Sequence, residues 1–223
     1  PSRIKSSLIK RFPTTIAGLI YELKENSFTT FSFWAGDSRC YELNRDFGLI
    51  QITSDDLKNK TDSFENLKED SPMSNYINAD NSFSINIRRV SPNLPSIIFT
   101  CTDGVFGFFR NPFSFEFTIL KTLFDSSSEQ EWKELFENEI KTITGDDFSL
   151  SSSFLGFHSF EDIKNQYEDR FIFIKNEFIR PFNLAISDEE SKRQHHEDAI
   201  SKKKELEQEL WDRYKVNYQF KYE

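Results

Sequence analysis

Apolar residues fall first in short, closely spaced runs and later in the wider spacing of helices. Residues 15–21 (TIAGLIY) and 28–34 (FTTFSFW) are β-branched or aromatic, and the polar segment 22–27 between them predicts a hairpin. Residues 40–43 predict a third strand, and Arg45-Asp46-Phe47-Gly48 turns the chain into a fourth over 49–53. Short strands in close succession, separated by polar turns, predict an antiparallel sheet. The segment 54–78 is polar, with a brief helical spacing at Phe64 and Leu67. Phe83, Ile85 and Ile87 alternate with Ser84, Asn86 and Arg88, the period of a half-buried strand, whereas 97–101 (IIFTC) is the continuous run of an inner strand.

After Gly104 the spacing lengthens. Residues 113–124 predict a helix. Ser128 with Glu131 forms a capping box ahead of Trp132, Leu135, Phe136 and Ile140, and 148–154 returns to strand. Strands, two helices and a strand predict an α+β domain in which helices cover a sheet. Beyond Gly156 a capped helix carries Ile163, Tyr167, Phe171 and Ile174, and Pro181 breaks or bends it. Ser187 with Glu190 predicts the cap of a second, very polar helix to about residue 214, laced by i,i+4 pairs among 202–209. The expected division is 1–157 for the main domain and 158–223 for a helical extension.

At 223 residues the chain is one large domain, or one domain with an appendage, and 25 Phe supply its core. The net charge of −9 argues against nucleic acid and anionic membrane as partners, since both would repel this surface. Cys40 and Cys101 are too few and too isolated for a disulfide framework or zinc site and read as buried thiols of a reducing compartment. With no apolar run of about 20 residues and no leader pattern, the expected location is cytoplasmic. His195-His196 lies on a charged helix and reads as solvated; His158 has no Ser or Cys partner. The phenylalanines of 106–117 read as core. The stripe Leu210, Trp211, Tyr214 and Tyr218 predicts a helix face that either docks on the main domain or receives a partner.

Three turns carry aspartates beside strand-like stretches: Gly36-Asp37-Ser38, Thr102-Asp103-Gly104 and Gly145-Asp146-Asp147. Singly, such residues form turns. Together they could converge on a divalent cation, and oxygen ligands without a His or Cys set favour Mg²⁺ or Mn²⁺.

The run Phe33-Trp34-Ala35-Gly36-Asp37-Ser38-Arg39-Cys40-Tyr41, followed by 48–56 (GLIQITSDD), resembles the GDSR and TxDH segments of protein phosphatase 2C-like (PPM-type) serine/threonine phosphatases. Pro13-Thr14-Thr15-Ile16-Ala17 looks like their GTTA strand start, 97–105 (IIFTCTDGV) resembles their SDG segment, and 145–150 (GDDFSL) is similar to their DN segment with a second Asp. The ordered set covers 13 to about 154. It implies a four-layer α-β-β-α sandwich, an antiparallel β-sandwich flanked by helices, here with a C-terminal helical extension. It also implies a metal centre holding two or three Mg²⁺ or Mn²⁺ ions. Asp103 and Asp146 would be core ligands; Asp37 would hold an additional, weaker ion or act from outside, and Arg39 would buttress its turn by salt bridges. The implied activity is hydrolysis of phosphoserine or phosphothreonine in phosphoprotein substrates by a metal-activated water.

One departure matters. The family's Arg, Glu-Asp pair and Asp-Gly-His turn precede its GTTA strand, and 1–12 here supply no acidic residue. No catalytic residue beyond the metal ligands is therefore assigned. Two expectations follow: the N-terminal strands belong to a longer protein, or the chain is an inactive pseudophosphatase that serves as a protein-binding module.

Overall fold

The structure is a computed structural model, and it describes residues 13–24, 27–58, 62, 72–79, 82–191 and 196–219. β1 (Ile16–Lys24) and β2 (Ser27–Ala35) form the expected antiparallel hairpin, with Ile16 opposite Ala35. β5 (Asn86–Val90) joins the far edge of β2 and completes a sheet of order β1-β2-β5. At turn 36–38 the chain crosses to a second antiparallel sheet. There β3 (Arg39–Asn44), β4 (Gly48–Gln51), β6 (Ser96–Cys101) and β7 (Leu150–Leu155) are ordered β4-β3-β6-β7. Gly36 makes the crossing possible: its φ is 103°, and a Cβ there would meet Thr15 Cγ2 at 2.4 Å.

The helices are α1 (Asp103–Phe106), α2 (Pro112–Asp125), α3 (Glu129–Ile143), α4 (Phe160–Ile174), a π-turn (Lys175–Ile179), α5 (Arg180–Ser191) and α6 (His196–Tyr218). Their starts follow from local chemistry. Asn111, Ser128 and Ser159 accept from the N–H of Ser114, Glu131 and Asp162, and Pro112 takes the first turn of α2. Glu131 returns its carboxylate to Ser127 rather than to Ser128, a capping box displaced by one residue.

Every residue of β3 is buried, and its two faces serve different cores. Tyr41 and Leu43 join the helical side with Phe99, Phe115, Tyr167 and Trp211, while Cys40 packs with Ile52 and Val90 between the sheets. That helical cluster runs without a break from β3 to Tyr218 in α6. The fold is thus α+β, a two-sheet antiparallel sandwich with helices over the four-stranded sheet. Among the described residues no helix covers the outer face of the three-stranded sheet, where Ile20 is 62 % and Ile87 70 % exposed.

Three expectations change. Of the alternating segment 83–88 only 86–88 is strand, at the start of β5, and there the apolar Ile87 points outward. Asn86 instead donates to Asp56, and Arg88 donates to the Ile52 carbonyl and lies over Trp34. Inward polar groups are tolerated here because each finds a partner. Ser187 starts no helix, because α5 runs through it to Ser191. Pro181 breaks nothing: α4 passes through the π-turn into α5, and the wider turn precedes the residue that lacks an N–H. Phe64, Leu67, His195 and the His196 side chain lie outside the described residues. Both cysteines are free and buried, and burial pushes the Cys40 thiol up to about 12, which leaves it unreactive.

Candidate metal centre

Turn 36–38 is held from two sides. Asp56 and Gly36 exchange hydrogen bonds: the Gly36 N–H donates to Asp56 Oδ2 at 3.1 Å, and the Asp56 N–H donates to the Gly36 carbonyl at 3.0 Å. The same carboxylate takes the amides of Asn75 at 2.7 Å and Asn86 at 2.9 Å, which tie the segment after β4 to β5. The hydroxyls of Ser38 and Thr15 lie 2.7 Å apart. Asp37 lies in the middle of the turn that these bonds hold.

Asp103 opens α1 immediately after β6, and its Oδ1 accepts the Gly104 N–H at 3.0 Å. The turn carrying Asp146 lies against it. The Thr102 N–H donates to the Ser149 carbonyl at 3.1 Å, and the Ser149 N–H donates to Thr102 Oγ1 at 3.0 Å. Gly104 is required for this contact, since a Cβ would fall 2.2 Å from the Asp147 carbonyl oxygen. Asp146 itself is exposed and accepts the Asp147 N–H at 2.8 Å.

Electrostatics couples two of the three aspartates. Burial, and after it the charge of Asp103, raises the Asp37 carboxyl to about 6; Arg39 opposes only weakly. A half-buried carboxylate that feels a second, exposed one more strongly than it feels Arg39 is the kind of group that a proton or a metal ion relieves. The fit to a hard divalent cation rests on this coupling. It is incomplete: among the described residues no three of His, Cys, Asp and Glu are grouped closely enough to hold an ion.

Arg39 stands behind the turn. Its Nε and Nη2 donate to Asp55 at 2.8 and 2.5 Å, and its guanidinium lies 4.1 Å from the centre of the Phe106 ring. Nη1 faces the hydroxyls of Tyr41, at 3.1 Å, and Tyr218, at 3.4 Å. Burial alone would lower its pKa, but Asp55 outweighs that and holds it well above the ordinary value. The arginine is a buttress, as the sequence suggests, and has no free face for a substrate.

The structure therefore brings Asp37 and Asp103 together and sets Asp146 on the adjoining turn with its side chain engaged locally. Asp55 and Asp56 are supports that sequence reading left unassigned, although both end the quoted run 48–56. Tyr218 was legible only as part of the aromatic stripe, with nothing in the sequence to tie it to Arg39. His158 donates its N–H to Asp162 at the start of α4, and Phe106, Phe109, Phe113 and Phe115 are buried core. Two clefts lie elsewhere: about 470 Å³ beside Arg45, Arg170 and Arg213, and about 740 Å³ between α3 and β7.

No family model matches the chain, and no curated protein does. Solved structures do. The chain is similar to the serine/threonine phosphatase PstP of Mycobacterium tuberculosis at 20 % identity, over 65 % of this chain and 60 % of that one, with a TM-score of 0.49. The PstP catalytic domain in complex with two manganese ions matches at 18 % identity, over 64 % and 59 %, with a TM-score of 0.46. Serine/threonine phosphatase Stp1 of Staphylococcus aureus matches at 15 %, over 62 % and 56 %, with a TM-score of 0.47. The chain spans about 60 % of the length of PstP.

Proposed function

We propose that the chain carries part of the metal centre of a protein serine/threonine phosphatase that hydrolyses phosphoserine or phosphothreonine. The observation that carries this reading is the Asp37–Asp103 pair, two carboxylates on adjacent turns at one end of a sandwich with Asp37 raised to about 6. The ordered motifs over 13–154 support it. Asp37 and Asp103 would hold Mg²⁺ or Mn²⁺, with Asp146 contributing from its neighbouring turn. When bound, such ions lower the pKa of a water and neutralise phosphate oxygens. Asp56 and Arg39 keep the turn in place, so the carboxylates need little reorganisation to receive a cation.

Hydrolysis of an aryl phosphate by the complete protein should require Mn²⁺ or Mg²⁺. It should fall at least a hundredfold, about 2.7 kcal/mol of barrier, in Asp103→Asn and in Asp146→Asn. Turnover that survives both substitutions rejects the reading. One observation favours the second reading, a protein-binding module without activity: among the described residues no three acidic, His or Cys side chains, Asp146 included, are grouped closely enough to hold an ion. Calorimetry that detects no Mn²⁺ binding by the complete protein would select it. No helix among the described residues is long and apolar enough to cross a membrane. Two buried, unpaired cysteines suit a reducing compartment, and on that ground we propose a cytoplasmic location.

A further inference from the structure

α6 lies far from the aspartate turns in sequence, yet its last turn reaches the arginine behind them. The Tyr218 side chain is 1 % exposed, and its hydroxyl is 3.0 Å from that of Tyr41 and 3.4 Å from Arg39 Nη1. Arg39 is placed to act on both turns at once. It follows Asp37 by two residues, and its guanidinium packs on Phe106, which ends the single-turn helix that Asp103 begins. Asp55 takes Nε and Nη2 and so sets the plane of the rigid guanidinium, and the remaining Nη1 reaches the hydroxyls of Tyr41 and Tyr218.

We infer that Tyr218 is a positioning residue for the aspartate turns: its hydroxyl ties the Arg39 guanidinium to the helical layer, and Arg39 braces turn 36–38 against α1. Tyr41 cannot do this by itself. It belongs to the same strand as Arg39 and moves with it, whereas Tyr218 comes from the helical layer and refers the guanidinium to a fixed body. The site is buried, so water cannot replace the lost hydroxyl. The C-terminal helix is then part of the centre's framework.

The inference rests on the metal-centre reading only for its consequence, and two readouts separate the two. Tyr218→Phe keeps the ring, which packs on Trp211 and Tyr214 at 5.6 Å between centroids, and removes only the hydroxyl. Tyr214→Phe is the control: one turn away, equally buried, with its hydroxyl given to Glu116 instead. In the metal-free protein, amide exchange at Gly36 and Gly104, followed by NMR, should quicken about fivefold in Tyr218→Phe, the factor that one ordinary hydrogen bond represents. Taken relative to the slowest-exchanging amides of β3, which report any global loss of stability, it should be unchanged in Tyr214→Phe. Mn²⁺ affinity, measured by calorimetry on the same proteins, should weaken by a similar factor in Tyr218→Phe alone. Exchange that on this relative scale is unchanged in Tyr218→Phe, or that quickens equally in Tyr214→Phe, overturns the inference. Exchange that responds as expected in a wild-type protein that binds no Mn²⁺ supports the positioning role and rejects the metal reading.

Discussion

Two buried arginine–carboxylate pairs each meet a tyrosine of α6, but they sit in opposite electrostatic surroundings. Under β4, Arg170 Nε donates to Glu116 at 2.6 Å, and the same carboxylate accepts the Leu49 N–H and the Tyr214 hydroxyl. Gly48 is shaped to this pair, because a Cβ there would lie 2.1 Å from Arg170 Nη2. Its charges cancel locally. At the other pair, Asp55 takes two of the Arg39 nitrogens, and among the described residues Arg39 is the one cation that the electrostatics of Asp37 register, and only weakly against Asp103. Burial with a matched partner makes framework, whereas burial with a like charge leaves a standing demand for a proton or a cation.

The largest effect should come from breaking the self-contained pair. Glu116→Ala strands Arg170 and should lower stability by about 3–5 kcal/mol in urea denaturation. A loss below about 1 kcal/mol would mean that the pair is not matched as described.

The next test concerns the unmatched side. In metal-free protein the Asp37 carboxyl titrates near 6 when folded, against an ordinary 3.8. A raised value favours the fold while the group is protonated, so this contribution is complete below about 3.8 and disappears as pH rises through 6. Wild-type stability should therefore drop by about 2–3 kcal/mol across that window. Asp37→Asn should not show this drop, and thermal unfolding at pH 8 should find it the more stable protein. A wild-type curve that rises through the window would contradict the assignment.

Smaller effects calibrate the comparison. Tyr214→Phe removes one hydrogen bond from the Glu116 hub and should cost about 1 kcal/mol in the same denaturation experiment. Lys121→Ala breaks an exposed ion pair to Glu139 and should cost no more than about 0.5 kcal/mol. A surface pair worth as much as the hub would remove the distinction between them.

The strands around turn 36–38 were legible because alternation, aromatic runs and polar turns coincide there with both sheets' inner positions. The helix starts at 129 and 160 were legible for the same local reason, a cap residue followed by an apolar spacing, whereas 113–124 was read from its spacing alone. β5 was read with the wrong side inward, because pattern cannot show that Asp56 and the Ile52 carbonyl would satisfy Asn86 and Arg88. Asp37 and Asp103 were found through their turns. Their coupling, and the support from Asp55, Asp56 and Tyr218, arises from residues up to 179 positions apart, a separation that no local signal spans.

The π-turn at Lys175–Ile179 sets the rotational phase of everything after it. Successive residues of an α-helix advance by about 100°. Removing a single residue from 175–179 would therefore swing α5 by roughly that angle about its own axis. Phe182, now edge-on to Phe113 at 5.6 Å between ring centroids, would face elsewhere. α6 packs on α5 and would inherit the misdirection. In this segment the information that aims the aromatic face lies in the count of residues as much as in their identity.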